Sequence, residues 1–139
     1  MKTKLLCTAI LVLAASSQAL AQETLTAGCI NELAFEPRLA VISDKVNLTG
    51  AEQGVRSADR VATAQERAAV ALWAHLRQQC FEFGDAQRRA SAKPQQVAVT
   101  KSVFGFQQRL LVSLEQGRLT FAEFNRERLD LASATGQEI

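Results

Sequence analysis

Thr63-Ala64-Gln65-Glu66-Arg67-Ala68-Ala69-Val70-Ala71-Leu72-Trp73-Ala74-His75-Leu76-Arg77-Gln78-Gln79-Cys80-Phe81-Glu82-Phe83 is the stretch that decides the fold class. Thr63 is followed three residues on by Glu66, a pairing in which hydroxyl and carboxylate satisfy two backbone N–H groups that a helix start leaves open. Ala68, Leu72, Leu76 and Cys80 then recur at every fourth position, with Ala69, Trp73 and Phe83 beside them. That is the broad apolar face of a core-facing helix, not the alternation of a strand. Asp85 lies three and four residues before Arg88 and Arg89, which suits the exposed end of the same helix. Lys93-Pro94 ends it, because the residue before proline is driven out of the α region. The spacing predicts one long helix from about Thr63 to Ala90, with Gly84 as its point of interruption.

Working outward, a third helix is predicted after Pro94. Val99, Val103, Phe106, Leu110 and Leu114 share a stripe that Phe104 and Leu111 widen, and Gly117 supplies the left-handed residue that closes helices. Thr120 and Glu123 form a second capping pair, with Phe121, Phe124, Arg128 and Leu131 on one side of the helix they open. So short a turn makes the two helices antiparallel neighbours. The polar tail, 133–139, is expected to fray. Upstream, Pro37 opens a predicted helix to about Leu48 with Leu39, Ile42 and Val46 on one stripe, broken by Leu48-Thr49-Gly50 and Gly54. The β-branched Val41, Ile42 and Val46 leave a strand open there. The fold class is therefore all-α: a bundle of about four helices in a single domain, 22–139, ending in a short antiparallel hairpin at 109–132.

Composition agrees. The chain has 139 residues, 47% apolar and 22% charged, enough for one core and too apolar for disorder. It has no Tyr, 2 Pro and 1 His, which excludes chemistry needing several imidazoles and disfavours a β sandwich. Lys2 and Lys4, the apolar run Leu5–Leu13 and the ending Ala19-Leu20-Ala21 have the order of a secretory signal, so residues 1–21 are expected to be cleaved before Gln22. The run is too short to span a bilayer, and a periplasmic or secreted bacterial location with no membrane span follows. Removing Lys2 and Lys4 from the 16 basic residues leaves 14 against 14 acidic ones, with no basic footprint for nucleic acid. Cys7 leaves with the signal, so Cys29 and Cys80 can form one disulfide. The competing reading lipidates Cys29 after Thr26-Ala27-Gly28; polar Gln22, Glu23 and Thr24, and a Cys80 left without a mate, argue for the bridge. Two sulfurs and one imidazole do not make a tetrahedral metal site, and no cofactor motif is present.

The catalytic search is equally sparse. Ser57, Asp59 and His75 have the residue types of a triad but no nucleophile elbow, and a lone His75 on a helix reads as a packed or surface side chain. Glu123 and Glu127 share a helix face with arginines nearby and read as solvated charges. Lys45, Lys93 and Lys101 do not form a recognisable anion site. Trp73, Phe81, Phe83, Phe104, Phe106, Phe121 and Phe124 are first of all core packing; the sharper alternative is a groove for an apolar ligand or a partner helix.

The segment Leu110–Leu129 resembles a SHOCT-type C-terminal hairpin, with Gly117, Leu119, Thr120, Glu123, Phe124 and Arg128 matching that pattern in order. The resemblance implies a noncatalytic envelope protein acting by self-association or through a protein partner, with Leu119, Phe121, Phe124 and Leu131 as interaction residues. Leu48-Thr49-Gly50-Ala51-Glu52-Gln53 is similar to the Leu-Thr-x-x-Gln repeat of small periplasmic helical chaperones, although Glu52 stands at the Gln position and there is no second copy. Two alternatives stay open beside self-association. One is a chaperone-like or small apolar-ligand-binding protein; the other is a small helical enzyme with an arginine and carboxylate site.

Overall fold

The computed structural model describes residues 24–50 and 58–136, which form five α-helices: α1 (Leu25–Glu32), α2 (Ala64–Phe83), α3 (Asp85–Ser91), α4 (Pro94–Glu115) and α5 (Phe121–Thr135). The expected signal segment, Gly54, Ser57 and the last three residues of the tail lie outside the described residues, which contain no strand.

α2 starts as its sequence dictates. Thr63 Oγ1 accepts from the Glu66 N–H, and the Thr63 N–H donates to Glu66 Oε2 at 2.8 Å. Its buried face is rotated by about one residue from the expected stripe: Ala69, Val70, Trp73, Arg77 and Cys80 face inward, while Ala68 and Phe83 are exposed. The reason is that Glu66 and Arg77 sit on the buried side, so an apolar count is drawn to the wrong edge of the helix. Gly84 divides the expected long helix in two. A Cβ there would lie 1.9 Å from Thr26 Oγ1 and 3.0 Å from the Thr26 backbone nitrogen, so the glycine is what lets α1 approach this closely. Asp85 pairs with Arg88 and Arg89 across α3.

α4 and α5 form the expected hairpin. Gly117 closes α4 at φ 69°, and Thr120 and Glu123 cap α5 reciprocally. The Phe121 and Ala122 N–H groups, which no helical carbonyl can reach, donate to Arg60 O and Ala58 O. Val99 is 54% exposed, so the α4 stripe buries from Val103 onward. α5 runs to Thr135, and Gly136 ends it at φ 61°.

The helix expected from Pro37 to Leu48 is replaced by a 3-10 turn, Pro37–Leu39, and a succession of further turns. The N–H groups of Leu39, Ala40, Ile42, Ser43 and Lys45 each donate three residues back in place of a full α ladder. The stripe still works: Leu39, Ile42 and Val46 are fully buried. Irregular backbone leaves carbonyls without helical partners, and side chains of α5 supply donors. Asn125 Nδ2 donates to Lys45 O at 2.8 Å and Arg128 Nη1 to Asn47 O at 3.0 Å. This explains why Asn125 and Arg128 are buried. Asn47 Oδ1 in turn accepts from the N–H groups of Thr49 and Gly50.

α1 was not expected from the sequence. Thr24 Oγ1 caps it by accepting from the Ala27 N–H, yet none of its residues is buried. It is held from outside its own packing, by the Cys29–Cys80 disulfide, by Leu25 N–H to Gln87 Oε1 at 2.8 Å and by Arg88 Nη1 to Thr26 Oγ1 at 2.6 Å.

Where the turns, α2 and the loop before α2 meet, Glu66 is 3% exposed and takes both nitrogens of Arg60 at 2.7 Å, with Lys45 Nζ at 3.5 Å. The Arg60 hydrogen bonds, with the Thr63 N–H, hold its carboxyl at about 2 against an ordinary 4.5, although burial pushes the other way. A folded-state value below the unfolded one gives stability that is complete above the ordinary value and is lost as pH falls toward the lowered one. Glu66→Gln should therefore cost about 2–3 kcal/mol at neutral pH. It should also flatten the loss of stability that the parent protein shows in urea melts between pH 4.5 and 2. Equal acid slopes in parent and variant would remove Glu66 from this role.

Candidate functional site

Trp73, Arg77 and Phe81 lie four residues apart on α2, and Arg88 continues the line from α3. Four-residue spacing stacks side chains along one edge of a helix. Together with Phe104 of α4 and Phe124 and Arg128 of α5, they form a column of alternating guanidinium and aromatic groups. Arg88 lies 3.7 Å over Phe81, which stacks on Phe104 with centroids 4.0 Å apart and planes 11° from parallel. Arg77 is 5.9 Å from the Phe104 centroid and 5.7 Å from that of Trp73. Arg128 lies 5.4 Å over Trp73 and 5.5 Å over Phe124. The negative face of each ring offsets part of the cost of burying a cation beside it. The rings thus help to hold Arg77 and Arg128 at only 3% and 2% exposure, together with the Gln107 and Asn47 hydrogen bonds. Burial lowers the Arg88 pKa below its ordinary value.

One side of this column borders a cleft of about 200 Å³ between α1, α2 and α4. Its apolar walls are Ile30, Val103 and the Phe81–Phe104 stack, and Thr24, Thr26, Thr49, Thr100 and Asn31 line it as well. Arg77 and Gln107 line it as buried polar residues, and Arg77 Nη2 donates to Gln107 Oε1. Arg77 is the one charged side chain among the described residues that line the cleft, and none of them is a carboxylate, imidazole or thiol. The described lining is an apolar body with threonines, two amides and one cation. Such a surface can hold and orient a molecule.

The residues singled out in the sequence fall elsewhere. Phe121 and Phe124 are 0% and 1% exposed, so two of the four expected interaction residues are core and present no surface. Packing claimed them: Phe124 meets Trp73 edge to face at 6.0 Å, and Phe121 sits under Arg60. Leu119 and Leu131 are half-buried. Cys29 and Cys80 are bonded, with α-carbons 5.4 Å apart. His75 and Asp59 are exposed, on α2 and in the loop before it. Glu123 is taken up in capping, and the Thr120 N–H lowers its pKa. Among the described residues no cluster of His, Cys, Asp or Glu could hold a metal, and no helix is long and apolar enough to cross a membrane.

Sequence reasoning missed Arg77 and Gln107. The signal was present in Arg77, a cation placed four residues after Trp73 and four before Phe81, but a helical arginine reads as solvated until its neighbours' faces are known. In comparisons with known proteins, no family model, no curated protein and no solved structure matches this chain.

Proposed function

We propose that this protein is an exported, noncatalytic binding protein whose cleft between α1, α2 and α4 takes up a small organic ligand. The observation that carries the reading is a cavity of about 200 Å³ with a stacked aromatic wall and a buried cation in its lining. Ligand sites are concave and mostly apolar, with a few convergent polar groups. The disulfide and the order of charged, apolar and small residues at 1–21 support export.

The test is a titration of the isotopically labelled protein with benzyl alcohol, followed by amide spectra. Saturable shifts confined to Ile30, Thr100, Phe104 and Gln107 are expected. Shifts that do not saturate, or that cluster elsewhere, would refute the site. Contact through the hairpin is a second reading, favoured by the exposure of Val112 and Leu129 at 39% and 46%. It requires sedimentation that depends on protein concentration and is abolished by Leu129→Ser.

A further inference from the structure

We infer that the Cys29–Cys80 bridge is a site of thiol–disulfide exchange entered at the Cys29 sulfur, and that its partner is a dithiol protein whose reactive thiol sits in an apolar surface. The inference stands apart from the binding role proposed above.

Access decides which sulfur is attacked. A thiolate cleaves a disulfide by attacking one of its two sulfurs, and it reacts with the one it can reach. Cys80 lies on the buried face of α2 and is 2% exposed. Cys29 is half-buried and lines a surface hollow of about 330 Å³, whereas Cys80 is not among the described residues that line it. Gly28, beside Cys29 in that lining, adds no side chain to cover it.

The walls select the partner. Leu25 and Phe83 line the same hollow at 44% and 63% exposure, a large apolar surface beside a disulfide. A protein that presents its thiol within an apolar rim buries both side chains as it docks, which a small thiol cannot do. Glu32 is the one charged side chain among the described lining residues, and it disfavours anionic thiols.

In the first step the partner's thiolate bonds to Cys29 Sγ, the Cys29–Cys80 bond breaks, and its electron pair leaves on Cys80 Sγ, which takes up a proton. In the second, the partner's other thiolate attacks its own sulfur in the mixed disulfide, and Cys29 leaves as a thiolate and is protonated. Two electrons and two protons have then passed from the dithiol, now a disulfide, to this chain. The reverse sequence closes the bridge, with Cys29 again the sulfur joined to the partner. In either direction the exchange makes or breaks the covalent tie between α1 and α2.

The experiment treats the folded, oxidised protein with a thioredoxin whose second motif cysteine is replaced by serine, quenches with acid and maps the trapped adduct by peptide mass. The adduct is expected on Cys29. Cysteamine and 2-mercaptoethanesulfonate are then compared, each rate divided by its rate on urea-unfolded protein, which removes the thiol's own reactivity. Cysteamine should be favoured about fivefold at low salt, and Glu32→Gln or about 0.5 M salt should bring the ratio close to one. Phe83→Ser should slow the thioredoxin about tenfold and leave both small thiols unchanged. Glu32 and Phe83 are exposed, so both variants keep the core intact.

An adduct on Cys80, or a rate equal to that of global unfolding and independent of thiol concentration, would overturn Cys29 as the point of entry. A cysteamine preference that survives Glu32→Gln would overturn the hollow as the route. An unchanged thioredoxin rate in Phe83→Ser would overturn the apolar-rimmed partner.

Discussion

Cys29→Ser lowers the stability of the oxidised protein by about 4 kcal/mol, the chain-entropy value for cross-linking positions this far apart. The separation is 51 residues. The loss is concentrated in α1. Not one of its residues is fully buried, so the bridge is the strongest tie between α1 and α2, beside the Gln87 and Arg88 hydrogen bonds. Urea unfolding of Cys29→Ser, and of the parent in reductant, should give the same reduced stability. Hydrogen exchange should reach unprotected rates in α1 while α4 and α5 stay protected. The cleft should weaken as well, since α1 contributes Thr24, Thr26, Ile30 and Asn31 to its lining. A stability loss below about 1 kcal/mol, far under the chain-entropy value, would show that α1 is held by something other than the bridge.

Phe124→Ala costs about 3–5 kcal/mol, the range for emptying a fully buried aromatic site. The side chain is 1% exposed, meets Trp73 edge-on and lies under Arg128. Truncation opens a void at the centre of the molecule and also strips one ring from a buried cation. A hairpin that associated through Phe121 and Phe124 would lose its oligomer in this variant and keep its fold. The buried positions require the reverse: a large fall in the urea midpoint and an unchanged sedimentation coefficient for the molecules that remain folded. A midpoint shift worth under about 1 kcal/mol would mean that Phe124 is not a core residue.

The elements that could be read in the sequence are those with local chemical signatures. Both Thr/Glu capping pairs, the left-handed Gly117 and the Pro94 start declare themselves over four residues or fewer, and each stands where expected. The disulfide was readable because only Cys29 and Cys80 remained once Cys7 was assigned to the leader. Two elements were not readable, for the same reason. Nothing in Leu25–Glu32 makes a stripe, because α1 is held by a covalent bond and by side chains from positions 87 and 88. The segment after Pro37 carries a helical stripe but folds as turns, because Asn125 and Arg128 supply its carbonyls with donors from about 80 residues away. The cleft was hidden likewise. Arg77 and Gln107 are polar residues on helix faces and look solvated until α1 is known to cover them.

The column of rings and guanidiniums has an optical consequence. Trp73 is the sole tryptophan in a chain with no tyrosine, so ultraviolet emission from this protein originates at one point. That point lies in the interior beside two cations, and Arg77 connects it directly to the cleft lining. A molecule held in the proposed site would therefore lie one side chain away from the lone fluorophore, and its uptake should change the emission of unlabelled protein.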